Sequence, residues 1–487
     1  MKQRFEIVIT VTIGYLLAIF QYAFNRSLWL DEAKLALNII DKSYLELTQP
    51  LHSVQVAPIL YLWITKFFTI LFGNTEYGLR LFPLLCFFVS VILMVKVARQ
   101  LTSNRVIVWF VTALFCVSPN LIFYASEVKQ YGVDVMVVLL LYYLFIRPYK
   151  DNKSKVITLS VVGALCIFLS NISIIILFTI GLYVLFYKRK GLKPMLIPGG
   201  VWLITFGVYY SLFVYNHPST EGMQAYWAEA FMPVNPFSLE FWQWAFSTAQ
   251  SVFSYVLGGT SYVFIYGTIG GVFIMGLFYL IKDRAYRMLF FIGVPVVTHL
   301  VLSALKFYPF STRLLIYQVP LYVLVLGYGL GRLYSDGVKR YRKELVAVVT
   351  VIPVFLYVII LASKLPYQKE HARPLYQFVL ENIADSDSVY IYSGNNNAYE
   401  YYSKIGVANF ERPVILGEDN REDFSLHNQQ LATLKGRVWL IFSHRFQSKN
   451  TTIFEDDYIL NYLKDNGGTV LNKIEKENAS LYLMSIN

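Results

Sequence analysis

The sequence predicts a polytopic α-helical membrane protein that ends in a small, polar α/β domain. Three observations lead there. The chain of 487 residues is 56% hydrophobic and only 15% charged, with a mean hydropathy of +0.49, and a soluble surface of this size needs more charge than that. Apolar runs near twenty residues, the length that crosses a bilayer, recur as far as residue 362. Beyond residue 363 the composition turns polar, and short β-rich runs alternate with helical patterns. The expected division is a transmembrane domain over 1–363 and an α/β domain over 364–487.

The first span covers residues 5–24, with Lys2 and Arg4 before it. No small-residue cleavage pattern follows, so it reads as a retained helix. The apolar piece from Pro58 to Phe72 is about fifteen residues, short for a crossing. It is expected to lie in the outer interface. Spans follow over 78–98, 106–121, 132–147, 156–170, 171–187, 195–215, 252–281, 288–304, 312–331 and 344–362, about eleven in all by hydropathy and charge.

Charge supports this count. Lys and Arg collect in alternate short connections: Lys96, Arg99 and Arg105; Arg147, Lys150, Lys153 and Lys155; Lys188, Arg189, Lys190 and Lys193; Lys282, Arg284 and Arg287; and Arg332, Lys339, Arg340, Arg342 and Lys343. These mark the inside, whereas the long connection over 216–250 holds Trp227, Trp242 and Trp244 and no Lys or Arg. The net charge of +11 is therefore an orientation signal, and no nucleic-acid partner is expected. An odd number of spans puts the α/β domain outside with the first loop. Within that domain, Ser388–Tyr392 and Arg437–Phe442 read as strands, Pro374–Ile383 and Asp456–Asp465 as helices, and the alternation suggests a mainly parallel sheet. Gly327, Gly329 and Gly331, with the pairs at 258–259 and 270–271, are suited to close helix packing. Cys86, Cys116 and Cys166 all sit in apolar runs, which argues against a disulfide framework or a cysteine metal site.

Chemistry concentrates at the outer edge of the membrane. Asn25-Arg26-Ser27-Leu28-Trp29-Leu30-Asp31-Glu32 lies just past the first span. Two adjacent carboxylates where lipid ends are a functional hypothesis; as the first turn of the next helix they would equally suit its dipole. Glu127 and Lys129 occupy the next outer loop, and His52, Arg80, Lys306 and Arg313 fall near the same boundary. Carboxylates can serve as general bases, and cations can hold a phosphate-like leaving group. The same mixture could fasten loops together as ion pairs.

These residues resemble a family. Ser27-Leu28-Trp29-Leu30-Asp31-Glu32 is similar to the first-loop acidic motif of GT-C-type membrane glycosyltransferases of family 39, the group of protein O-mannosyltransferases and lipid A aminoarabinose transferases. His52 through Tyr61 resembles its Pro-Pro-Leu-Tyr segment, with Ala57 in place of one proline. Phe72-Gly73 through Glu76, Arg80, Leu81 and Pro83 resembles its Gly–Glu–Arg-Leu-Pro element. Ser118-Pro119 through Glu127, Lys129 and Tyr131 resembles its second-loop motif, with Lys129 where Arg is more usual. Ser311-Thr312-Arg313-Leu314-Leu315 resembles a late Arg-Tyr-Leu-Leu element without the Tyr. The motifs cover roughly the first 130 residues and the short stretch near 313.

The resemblance implies a GT-C-like fold and an enzyme that transfers a sugar from a polyprenyl-phosphate donor to an extracytoplasmic acceptor, which could be a glycolipid, a glycan or a protein. Inverting displacement is the simplest course for an activated donor. On this reading Asp31 is the leading base, with Glu32 and Glu127 as further catalytic acids. Arg80, Lys129, Arg313, Lys306, His52 and Tyr61 are candidates to bind substrate. Tyr61, with Trp29 and Tyr124, would line a sugar or lipid groove or simply belong to the aromatic belt. No cofactor is required, because cations are already plentiful; a divalent ion on Asp31 and Glu127, hard oxygen ligands, is the alternative. The expected location is a plasma membrane, compatible with a bacterial inner membrane. A transporter or flippase of lipid-linked sugar is the rival, but transporters place charge or broken helices at mid-membrane, and here charge sits at one edge.

Overall fold

The computed structural model describes residues 2–188, 192–215, 217–257, 260–420, 423–447 and 453–487. Arg189, Lys190, Gly258 and Gly259, together with the side chains of Lys2 and Arg4, lie outside the described residues. The helices run in chain order as α1 (Lys2–Ala23), α2 (Leu30–Asp41), α3 (Ile59–Phe72), α4 (Glu76–Leu101), α5 (Arg105–Cys116), α6 (Pro119–Tyr124), α7 (Tyr131–Ile146), α8 (Asn152–Leu169), α9 (Ser173–Tyr187), α10 (Leu192–Phe213), α11 (Thr220–Tyr226), α12 (Leu239–Ser251), α13 (Val263–Lys282), α14 (Tyr286–Ala304), α15 (Val319–Gly337) and α16 (Lys343–Lys364). Eight described segments are long and apolar enough to cross a membrane: α1, α4, α8, α10, α13, α14, the stretch Thr312–Gly337 that ends in α15, and α16. The chain is a multi-pass membrane protein.

Eight of the eleven expected spans contain one of these long segments; in the other three the helices α5, α7 and α9 have only 12, 16 and 15 residues. The fourth short apolar helix is α3, of 14 residues, where the sequence predicts an interfacial segment. The chain divides into two compact units. One comprises Met1–Ala23, Tyr44–Thr65 and Arg80–Leu365; the other comprises Phe24–Ser43, Lys66–Leu79 and Pro366–Asn487.

The first unit is built around α15. Residues 315–331 are buried throughout, and α15 packs between α5 and α13. Small residues allow that approach. A Cβ on Gly329 would stand 2.9 Å from the Gly276 Cα and N, one on Gly327 would meet the Val111 N at 2.7 Å, and one on Gly331 the Ile107 Cα at 2.8 Å. Gly276 takes the partner role on α13, since Gly270 has only a side chain near 4 Å and Gly271 faces open space. Among the described residues the three cysteines are free and buried.

The second unit contains a five-stranded sheet in the order β2-β1-β3-β5-β4. Its strands are β1 (Ser388–Ile391), β2 (Val414–Leu416), β3 (Gly436–Ser443), β4 (Thr469–Lys476) and β5 (Ala479–Ile486). β2, β1 and β3 are parallel, while β5 runs antiparallel to β3 and to β4. The sheet is mixed, where the sequence suggests a mainly parallel one. The added hairpin turns through Glu477 and Asn478, with Asn478 at φ 46°, the left-handed conformation that tight hairpin turns require. The remaining helices are α17 (Arg373–Asn382), α18 (Asn396–Lys404), α19 (His427–Leu431) and α20 (Glu455–Asp465). Tyr390, Val438, Leu440, Phe442, Ile459, Leu463 and Met484 form its apolar core. The first-loop helix α2 belongs to this unit and packs on α18.

Candidate active site

In the second unit, the chain after α1 runs without regular structure through 25–29, with Asn25 at φ 48° and Trp29 extended, before α2 begins. Asp31 and Glu32 fall in the first turn of α2, where the helix dipole favours negative charge. Their environments differ. Glu32 is fully buried and Arg26 is 1% exposed, and they pair through two contacts, Nη1 to Oε2 at 2.5 Å and Nη2 to Oε1 at 3.3 Å. Two-point guanidinium–carboxylate contacts are the strong kind. Asp31 is half-buried. Thus of two adjacent carboxylates one is locked into an ion pair and the other keeps some access to solvent.

The approach to Asp31 is pinned by residues distant in sequence. The Leu28 N–H donates to the Tyr402 hydroxyl at 2.8 Å, and that hydroxyl donates to Glu76 Oε1 at 2.9 Å. Arg373 donates to Glu76 at 2.7 Å and to the Asn25 carbonyl at 2.5 Å, and its own N–H donates to Ser27 Oγ at 3.1 Å. Ser27 Oγ also lies 3.1 Å from His371 Nδ1. Burial, with the Arg373 and Lys476 charges adding to it, holds the His371 imidazole below its usual pKa. The Leu30 N–H donates to Glu370 Oε2 at 3.2 Å, and His444 Nδ1 contacts the other oxygen of Glu370 at 2.6 Å. Trp29 lies under the Lys369 ammonium, 3.6 Å from its ring centroid.

In the first unit, α6 and the loop before α7 carry the second-loop motif. Glu127 and Tyr124 are each 1% exposed and Lys129 is 7% exposed. The loop is tight because Gly132 lets α7 start against the Tyr124 carbonyl, which a Cβ would meet at 2.8 Å. Lys129 Nζ donates to Gln55 Oε1 at 2.7 Å. The Tyr124 hydroxyl lies 3.3 Å from that of Tyr255, and Asn120 Nδ2 donates to the Val256 carbonyl at 3.1 Å, which ties α6 to the segment before α13. Burial first, then Tyr255 and Glu127, push the Tyr124 phenol well above its usual range. The Arg313 guanidinium lies over Trp227, 5.1 Å from the ring centroid.

Among the other expected site residues of this unit, Arg80 and Tyr61 are buried, with Tyr61 packed on Phe82 at 6.1 Å. His52 and Lys306 are exposed on loops, and Lys306 has φ 59°. Among the described residues no group of three or more His, Cys, Asp or Glu side chains is arranged to hold a metal ion. Residues that sequence reasoning did not single out are Arg26, Gln55, Glu76, Tyr255, Glu370, Arg373, Tyr402 and His444. Arg26, Gln55 and Glu76 stand inside quoted motifs, but the others have no linear signal, because their partners lie from 74 to 374 positions away.

The fold these elements build is that of the GT-C-type membrane glycosyltransferases. The sequence pattern described as dolichyl-phosphate-mannose-protein mannosyltransferase matches residues 56–210. The chain is similar to the crystal structure of ArnT from Cupriavidus metallidurans bound to undecaprenyl phosphate, with a TM-score of 0.56 at 12% identity, covering 98% of this chain and 97% of that one. It is also similar to the archaeal oligosaccharyltransferase AglB from Archaeoglobus fulgidus in complex with an inhibitory peptide and a dolichol-phosphate, with a TM-score of 0.51 at 10% identity, covering 98% and 74%. The sequence matches no curated protein.

Proposed function

We propose that this chain is a membrane glycosyltransferase that moves a sugar from a polyprenyl-phosphate donor onto an acceptor outside the cytoplasm. The shared fold with a structure bound to undecaprenyl phosphate and another in complex with a dolichol-phosphate supports the donor class. The observation that carries the reading is the asymmetry of the first-loop acids: Glu32 is sealed against Arg26 while Asp31 is half-buried beside it. A base must reach its substrate and also hold its geometry, and Asp31 answers both needs.

In the reaction, Asp31 takes the proton of an acceptor hydroxyl as that oxygen bonds to the anomeric carbon. The bond from that carbon to the phosphate oxygen breaks with inversion, and its electron pair leaves with the polyprenyl phosphate. Negative charge grows on the leaving oxygen, so a cation placed there lowers the barrier. Lys129, Arg313 and Arg80 are our candidates for that role, with Lys306 and His52 as outlying ones. Glu32 fixes Arg26, and Glu127 orients acceptor or phosphate. Side-chain cations can supply the charge alone; a divalent ion on the carboxylates is the alternative, and turnover that survives chelation would support the side-chain route. We assign the protein to a plasma membrane, compatible with a bacterial inner membrane, with the α/β domain outside.

The test is purified protein with labelled polyprenyl-phosphate sugar and membrane acceptors. Label moving onto an acceptor supports the proposal. Translocation of the intact donor across vesicles without transfer would replace it with transport.

A further inference from the structure

The α/β domain offers one further role, which rests on the reading of Asp31 as base. In parallel α/β sheets, ligands settle at the carboxyl ends of the strands where the direction of connection reverses. With the order β2-β1-β3, that point lies between β1 and β3, at Ser393–Asn395 and Ser443–His444. Here the protein fills it from within. Asn395 Oδ1 accepts from the Tyr376 hydroxyl at 2.6 Å and from Ser443 Oγ at 2.8 Å. Gly394 sits so close that a Cβ would meet the His444 carbonyl at 2.6 Å. His444, just past β3 and at φ 53°, holds Glu370 at 2.6 Å, and its ring lies 6.3 Å from that of Trp29.

The helix that carries Asp31 needs such help. Trp29 occupies the N-cap of α2 and provides no side-chain cap, yet the first-turn N–H groups of a helix lack partners of their own. Glu370, 5% exposed, supplies one from 340 positions away by accepting the Leu30 N–H. An acid there also suits the helix dipole. We propose that Glu370 is a positioning residue for Asp31: held by His444, it caps α2 one residue before the base and fixes the direction in which Asp31 points. The α/β domain thereby serves transfer as a splint for the acidic loop, and its strand-end crevice takes a segment of this same chain instead of a small ligand.

Glu370→Ala and Glu370→Gln in the full-length protein test this. Glu370→Ala should lower kcat by about tenfold to a hundredfold, the scale of a small misplacement of a catalytic group, with KM for the donor unchanged. Glu370→Gln keeps an oxygen for the Leu30 N–H and an amide for His444, so it should recover most of the rate, which a requirement for the charge would not allow. Leu30→Pro removes the same hydrogen bond from the other side. Proline is favoured at the first position of a helix, and Trp29 at φ −90°, ψ 170° already has the extended backbone that precedes proline. Leu30→Pro should therefore lower kcat alike, and Glu370→Ala with Leu30→Pro should be no worse than either alone. Normal turnover in Glu370→Ala, equal defects in the Ala and Gln variants, or multiplying defects in the double variant would overturn the proposal. If Glu370→Ala does not fold, Leu30→Pro decides with the same criteria. Asp31→Asn, assayed alongside, keeps the parent reading separate: normal transfer there removes the base, whatever Glu370 does.

Discussion

Replacing Arg26 by Met should take the paired guanidinium away from the buried Glu32 carboxylate in the second unit. Both side chains are at most 1% exposed and meet through two contacts, and removing one partner of such a buried pair costs about 3–5 kcal/mol. The penalty has a ceiling, because the buried carboxyl can take up a proton instead. At pH 7 an ordinary glutamate sits about 2.7 units above its titration point, at 1.36 kcal/mol each, so protonation costs about 3.7 kcal/mol. At pH 5 the ceiling falls to about 1 kcal/mol. Hydrogen exchange of the α2 amides reads this local opening. Arg26→Met should speed it by roughly a hundredfold to several hundredfold at pH 7, with most of the difference gone at pH 5. Arg26→Met with Glu32→Met removes both charges and should return to within about 1 kcal/mol of the parent, since apolar replacement of a whole buried pair is often neutral. Unchanged exchange in the single variant, or a double variant no better than the single, would refute the account of the pair.

Two further expectations follow from the packing and from His371. Gly329→Ala should destabilise the first unit by about 1–3 kcal/mol, because the new Cβ meets the Gly276 backbone at 2.9 Å, whereas Gly271→Ala faces open space and should be neutral or slightly stabilising; thermal unfolding in detergent separates the two. His371 has its folded pKa depressed, so the folded state binds fewer protons than the unfolded one just below the ordinary histidine value of about 6.5. Its stabilising contribution is present above that value and is lost as pH falls toward the folded pKa; exchange in the second unit between pH 7.5 and 5.5 should lose protection on acidification, with a shallower slope in His371→Gln.

The spans were legible because each needs only a local property, apolar length. Eight of the eleven expected ones contain a helix long and apolar enough to cross, the other three contain shorter apolar helices, and α3 is a short apolar helix where an interfacial one is expected. The glycines were partly legible. Gly327, Gly329 and Gly331 do admit neighbours, but Gly327 and Gly331 admit Val111 and Ile107 of α5, and Gly329 meets Gly276 rather than Gly271 of α13, since the face a residue presents depends on helix rotation and not on its having a glycine neighbour. The β4–β5 hairpin was not read from the sequence because its turn, Glu477-Asn478, lacks the glycine that usually marks one. Asp31 and Glu32 were visible as a pair, but the difference in their surroundings was not. It depends on Arg26 folding back across six residues and on Glu370, His371, Arg373 and Tyr402 closing over the loop from the far end of the chain.

The most direct measurement is transfer from labelled polyprenyl-phosphate sugar by Asp31→Asn, paired with donor binding by the same protein. Asparagine keeps the shape and removes the base, so sugar transfer should vanish while the donor still binds. Turnover at the parent rate would contradict the assignment of Asp31, and with it the mechanism proposed for this chain.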